Sequence, residues 1–155
     1  MSSPGPEQAY LDIISSGGKT TEEAATAIFD QLKPVPPSFL IGEWVGADFD
    51  TGHPATQALV ALKWAGKLFR SEEDVDPIIV YDEEGKRVWL ESYGHARIRE
   101  VKFRGVVSAA MAYDDKPIID HFRYVNEDTM ASMMDGKGVP EGYHFHLTRY
   151  KPAKM

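Results

Sequence analysis

The chain of 155 residues contains no cysteine. This absence excludes disulfide bonds, a thiol nucleophile, zinc sites built on thiolates and iron–sulfur clusters. It is consistent with a reducing compartment, and we expect a cytoplasmic protein. Long apolar runs are missing as well. No segment approaches the roughly 18 apolar residues that a membrane-spanning helix needs, so we expect no integral membrane association.

Positive charge is in the minority. The 17 Lys and Arg residues face 24 Asp and Glu residues, which gives a formal net charge of −7. A mildly acidic surface argues against nucleic acid as a partner. The chain also lacks a Walker loop, a Rossmann glycine fingerprint and a Gly-x-Ser-x-Gly elbow. We therefore predict no cofactor, and the sequence leaves open whether the protein is an enzyme.

The remaining composition is that of an ordinary globular protein, with 43% hydrophobic and 26% charged residues. The length fits one domain. Residues 1–9 are rich in Ser, Pro and Gly and lack the apolar core of a signal peptide. We predict a flexible N-terminal segment over residues 1–19 and a single domain over residues 20–155.

Two helices are predicted. The first begins at an N-cap, Thr20, with Glu23 closing a capping box, and ends before Pro34. The second follows Pro54, carries an apolar stripe to Ala65 and ends at a glycine, Gly66.

The rest of the chain alternates with a period of two residues, which indicates strands. We predict eight of them, over residues 39–45, 78–81, 87–93, 96–103, 106–113, 118–125, 129–134 and 143–150. Their even spacing and short turns favour a meandering antiparallel sheet that closes into a barrel. A barrel of eight strands can enclose one small ligand.

A short motif, Gly42-Glu43-Trp44-Val45-Gly46, opens the first strand. Further segments follow in order, namely 50–53 (DTGH), 64–69 (WAGKLF), 111–114 (MAYD), 117–122 (PIIDHF), 134–137 (MDGK) and 145–149 (FHLTR). Together they resemble the GXWXG-domain family joined to the domain of unknown function that usually follows it. The resemblance covers roughly residues 25–150 and implies no particular biochemical activity.

A wider resemblance concerns Trp44 on the first strand and Arg149 on the last. The pair is similar to that of the calycins, which include lipocalins, fatty-acid-binding proteins and nitrobindin-like barrels. This resemblance implies a calycin-like barrel in which the guanidinium packs on the indole at the barrel floor. The second predicted helix, which follows the first strand, resembles the lid of fatty-acid-binding proteins. We therefore predict a barrel with an N-terminal helix and a second helix that caps the barrel mouth.

The first functional hypothesis is binding of a lipid or another hydrophobic small molecule inside the barrel. Trp44 and Arg149 would close the floor. The lumen would be lined by Trp64, Met111 and Phe122. Arg97 and Asp120 would orient the polar end of the ligand, and Lys67 would either neutralise an acidic head group or be solvated.

The alternative hypothesis is an isomerase, dehydratase or cyclase that uses acid–base catalysis in the same cavity. Asp120 would be the acid or base, with His53 or Arg97 stabilising the developing charge. Two structural interpretations compete with these roles: Asp120 in an ion pair with Arg97 or Arg149, and His53 as a cap of the second helix.

The histidines raise two further alternatives. His144 and His146 share one strand face and could bind a metal with His121 or His95, but a solvated or hydrogen-bonded outer face is the simpler explanation, and we predict no metal. Haem held by one histidine, as the nitrobindin-like resemblance implies, is kept as a minor alternative. Edge strands that pair across a two-fold axis would give a homodimer.

Overall fold

The structure is a computed structural model that describes residues 4–138 and 142–152. Nine strands are present in these residues: β1 (Gly42–Asp48), β2 (Trp64–Ser71), β3 (Asp74–Tyr81), β4 (Arg87–Trp89), β5 (Ala96–Phe103), β6 (Val106–Tyr113), β7 (Ile118–Asn126), β8 (Thr129–Gly136) and β9 (Tyr143–Arg149). Four α-helices accompany them: α1 (Pro6–Ser15), α2 (Glu22–Phe29), α3 (Pro37–Leu40) and α4 (Ala55–Leu62). A 3₁₀-helix spans Glu91–Tyr93.

Eight of the strands close into an antiparallel barrel. The order around the barrel is β1, β9, β8, β7, β6, β5, β3 and β2, and β2 completes the circle by pairing with β1. The short β4 lies beside β3 as an extra strand. The prediction of a mainly β fold with an eight-stranded antiparallel barrel is therefore confirmed.

Alternate residues of each strand point into the barrel and form the main core. Strands β6 and β7 contribute Met111 and Phe122 to this core, and the Phe122 ring meets Phe69 of β2 edge to face. The ring of Trp44 is fully buried among them. The centre of the barrel is thus filled by side chains, as expected for eight strands.

A second hydrophobic cluster lies outside the barrel, where α1 and α2 cover one face of β7, β8 and β9. It is built around Tyr10 of α1, Phe29 of α2 and the strand residues Val125 and Ala131. The hydroxyl of Tyr10 donates a hydrogen bond to the carbonyl oxygen of Phe145 at 3.1 Å. The segment 1–19, predicted to be flexible, therefore contains a packed helix.

At one end of the barrel, β6 and β7 diverge and the segment 33–35 fills the gap. The backbone N–H of Ala109 on β6 donates to the carbonyl of Val35 at 2.9 Å, and that of Tyr124 on β7 donates to the carbonyl of Lys33 at 2.8 Å. The hydroxyl of Ser108 donates to the carbonyl of Phe122 and accepts from the N–H of Val35. The prolines around this segment exclude helix, which leaves its backbone groups available to the strands.

The predicted elements differ from the structure in several further places. Strand β2 was missed, because residues 64–66 were assigned to the end of the second helix; α4 instead ends at Leu62 with Lys63 in the left-handed conformation. The cap of α2 is Thr21, whose hydroxyl accepts from the N–H of Ala24, and not Thr20. Residues 37–40 form α3 rather than the start of a strand, and the predicted strand 87–93 shortens to β4.

No helix in the described parts of the chain is long and apolar enough to cross a membrane.

Candidate functional site

A cavity of about 160 Å³ lies inside the barrel mouth, directly beneath α4. The helix supplies the small and branched side chains Ala55, Ala58, Leu59 and Leu62. The strands and the 3₁₀-helix supply Trp64, Ile78, Tyr93, Tyr113, Ile118, Met134, Tyr143 and Phe145. The walls are therefore mostly apolar, as in most small-molecule sites.

One charged pair lies in this apolar environment. The ammonium of Lys67 on β2 is 2.9 Å from Oδ2 of Asp120 on β7, and both side chains are 2% exposed. The same ammonium donates a hydrogen bond to the carbonyl oxygen of Pro77 at 3.0 Å. Because a buried charge without a partner is very costly, each ion of this pair depends on the other.

Aromatic rings surround the ammonium of Lys67. Its Nζ lies 5.3 Å from the ring centre of Phe145, 5.7 Å from that of Tyr113 and 5.9 Å from that of Trp64. Such contacts stabilise a cation that has been removed from water. The positive charge is thus held by one carboxylate, one carbonyl and the faces of three rings.

Tyr113 is the phenol next to this pair. Burial raises its pKa well above the usual value, and the negative charge of Asp120 adds to the effect. A second phenol in the wall, Tyr143, donates to Oδ2 of Asp48 at 3.0 Å, and burial followed by the charge of Asp48 raises its pKa as well. Both tyrosines therefore stay protonated at neutral pH.

The Gly-x-Trp-x-Gly motif has a clear structural role in this barrel. A Cβ atom on Gly46 would lie 2.3 Å from the ring of Trp64, so only glycine leaves room for that wall of the cavity. Trp44 lies at the opposite, closed end, where the guanidinium carbon of Arg149 stacks 4.3 Å from its ring centre. Arg149 also donates to the carbonyls of Phe39 and Glu127.

The predicted ligand residues separate into three groups. Trp64, Lys67 and Asp120 line the cavity together. Met111 and Phe122 point into the barrel but belong to the packed core below the cavity, and Trp44 with Arg149 seals the closed end. Arg97 lies elsewhere, because it faces outward and pairs with Asp114.

The ion-pair partner of Asp120 was wrongly predicted. Neither Arg97 nor Arg149 reaches this carboxylate; Lys67 does. Lys67 was expected to meet solvent or an acidic head group, and it is buried instead. The reason is the unpredicted strand β2, which turns Lys67 into the barrel.

Most of the wall residues were missed by the sequence analysis, among them Tyr113, Tyr143 and Phe145. The alternation of the strands contains the signal for two of them. Tyr113 shares a strand face with Met111, and Phe145 shares one with Leu147. The best candidates for the cavity wall were therefore the inward-facing residues nearest the end of each strand at the barrel mouth.

The five histidines all lie outside the cavity lining. Nδ1 of His53 accepts the N–H of Ala55 at 3.0 Å, which caps α4. His144 and His146 face outward but are buried beneath the two N-terminal helices, where Nε2 of His144 is 2.8 Å from the hydroxyl of Thr26. Burial lowers the pKa of each of these two imidazoles to about 4. The interior thus offers no imidazole to a haem iron.

One group of possible metal ligands occurs in the described residues, formed by Asp74, Asp76 and His95. The guanidinium of Arg70 already pairs with both carboxylates, at 3.3 and 2.7 Å. The ring of His95 stacks on Trp89 with its Nδ1 3.1 Å from Asp76. The guanidinium therefore offsets part of the negative charge that would attract a cation and occupies oxygens that would bind it.

A larger open groove of about 980 Å³ lies outside the barrel between α2 and residues 51–54. Its walls include the charged residues Glu22, Glu23, Asp30 and Arg104 beside apolar ones. It is a more open cleft on the surface, and the cavity under α4 is the better candidate.

The fold and the cavity together define a class: a closed antiparallel barrel with a small, helix-capped interior site. The chain belongs to the GXWXG family with its C-terminal domain of unknown function. Residues 27–85 match the GXWXG protein family, and residues 94–149 match the domain of unknown function DUF4334. A comparison with curated proteins found no match.

A solved structure is closely similar. The crystal structure of a protein from Thermomonospora curvata shares 42% sequence identity with this chain, at a TM-score of 0.91. The alignment covers 94% of this chain and 99% of the other.

Proposed function

We propose that this protein binds a small, mostly apolar molecule in the cavity beneath α4. The observation that carries the proposal is the mostly apolar cavity at the barrel mouth, with one internally neutralised charge pair in its wall. Water gains few hydrogen bonds from such walls, so an apolar guest is favoured over solvent.

The volume of the cavity limits the size of the ligand. About 160 Å³ is close to the roughly 150 Å³ of an engineered protein cavity that binds benzene. Pockets for drug-sized ligands are larger, about 300–1,000 Å³. A ring-sized molecule therefore fits the cavity as it stands, whereas a long acyl chain requires α4 to move.

Helix α4 is suited to act as the entrance. None of its residues is buried, and the sequence Ala55–Leu62 contains no charged side chain. Ala55, Leu59 and Leu62 make its contacts with the core. A helix held by so few contacts opens at a low free-energy cost.

An NMR titration with fluorobenzene tests the proposal. We expect saturable shifts of the indole N–H signal of Trp64, assigned with Trp64→Phe. Ala55→Leu adds carbon atoms inside the cavity and should weaken binding at least tenfold. Ala61→Leu is the matched control, because Ala61 lies on the same helix, is exposed and does not line the cavity. Shifts that do not saturate, or that are equal in both variants, would refute the proposal.

A second candidate function is acid–base catalysis on a bound carbonyl compound. The observation that favours it is the presence of a carboxylate, Asp120, and a protonated phenol, Tyr113, in one cavity wall. Asp120 would accept a proton from carbon while Tyr113 donates to the carbonyl oxygen. Exchange of the α-hydrogens of cyclohexanone in D₂O, followed by NMR, tests this. The activity would be excluded if the wild-type protein exchanged these hydrogens no faster than buffer alone, or no faster than the Tyr113→Phe variant.

A further inference from the structure

One oxygen of the buried ion pair has no partner. Oδ2 of Asp120 accepts from Lys67, but Oδ1 is buried without a hydrogen bond in the described part of the chain. A buried acceptor without a donor costs about 1–3 kcal/mol, and more when it is charged. Such groups are rare in natural proteins, and each one calls for an explanation.

The position of this oxygen separates it from the other unpartnered polar atoms. Five further buried side-chain atoms lack a hydrogen-bond partner in the described residues, and none of their residues lines the cavity. Ser132, for example, lies deeper in the barrel on β8. Among the residues that the structure describes, Asp120 alone combines an unpartnered acceptor with a place in the cavity wall.

We infer that the ligand is a neutral ring-sized molecule with one hydrogen-bond donor, a phenol or a small cyclic alcohol, whose hydroxyl donates to Oδ1 of Asp120. This inference rests on the proposed binding function. The apolar body would contact Trp64, Phe145 and α4, while the hydroxyl meets the carboxylate. A hydrogen bond to a charged acceptor is stronger than one between neutral groups.

The charges of the site select against ionised ligands. Lys67 is already paired with Asp120 and bonded to Pro77, so it has no unbalanced charge to offer a carboxylate. An anionic head group would instead lie beside the negative charge of Asp120. An added ammonium would be buried next to Lys67. A neutral donor therefore satisfies Oδ1 without adding a charge to the cavity.

The test compares phenol with fluorobenzene, which has nearly the same size but no donor and is the more hydrophobic of the two. We expect the wild-type protein to bind phenol at least tenfold more tightly in the Trp64 titration. Benzoate should not bind. In Lys67→Met/Asp120→Val, both charges are replaced by apolar groups, and the preference should reverse in favour of fluorobenzene.

The outcomes separate a failure of this inference from a failure of the proposed binding function. If fluorobenzene binds at least as tightly as phenol in the wild-type protein, Oδ1 meets only water and the inference is wrong, while the proposed function stands. An unchanged preference in the double variant also contradicts it, because the donor then bonds elsewhere. If neither ring binds, the proposed function itself fails. The comparison within the wild-type protein decides the inference even if the double variant does not fold.

Discussion

Replacing Lys67 by methionine gives a sharp test of the buried ion pair. The substitution keeps the length and apolar stem of the side chain but removes the charge. Asp120, which is 2% exposed on its side chain, would lose its only hydrogen-bonded partner in the described structure. Removing one member of a buried pair costs about 3–5 kcal/mol, because an uncompensated charge stays behind. For a domain of this size, that lowers the melting temperature by roughly 10 °C.

The double variant Lys67→Met/Asp120→Val is the control for this reasoning. Replacing both ions with apolar groups of similar volume is often neutral or stabilising. We therefore expect the double variant to recover most of the stability that Lys67→Met loses. The assay is urea denaturation followed by circular dichroism for the wild type, both single variants and the double variant. A loss below about 1 kcal/mol in Lys67→Met, or a double variant no more stable than the single ones, would refute the argument.

Two further predictions concern the barrel wall and its outer covering. Gly66→Ala should cost more than about 3 kcal/mol or prevent folding, because its Cβ would lie 1.8 Å from the carbonyl oxygen of Trp44. Gly85 also has a positive φ, +80° against +147° for Gly66, but open space around it, so Gly85→Ala should cost only about 1 kcal/mol in the same urea assay; equal losses would contradict the contact argument. Acid should destabilise the protein between about pH 6.5 and pH 4, because His144 and His146 have pKa values of about 4 when folded, and the unfolded state takes up protons first. The loss of unfolding free energy approaches roughly 3 kcal/mol for each histidine. Urea titrations from pH 7 to pH 4.5 should show that the unfolding free energy of His144→Gln/His146→Gln falls less steeply with decreasing pH than that of the wild type.

The second half of the barrel could be predicted from the sequence because local patterns determine it. Strands β5 and β6 have the predicted bounds, since each alternates over its whole length and is ended by a turn. The first half could not be predicted in this way. Strand β2 follows α4 after a single residue, Lys63, whose left-handed conformation ends the helix without a glycine or proline. The apolar residues of α4 are therefore followed almost directly by those of β2, and no local signal marks the boundary between helix and strand.

The candidate site was predicted only in part, because one of its two charged residues lies on the unpredicted strand β2. Asp120 was identified because an aspartate on an inward-facing row of a strand is unusual. Its partner was not, because Lys67 becomes an inward residue only when β2 exists. The burial of His144 and His146 was missed for a different reason. The outer face of a barrel is normally solvated, and no local pattern showed that α1 and α2 would cover it.

The segment 33–35 connects the order of synthesis to the completion of the barrel. These residues leave the ribosome before any strand, yet the hydrogen bond from Val35 to Ser108 spans 73 positions along the chain. The seam between β6 and β7 therefore stays incomplete until an early part of the nascent chain returns to it. Residues 33–35 therefore gain their hydrogen-bond partners on β6 and β7 only after more than two thirds of the chain has been made.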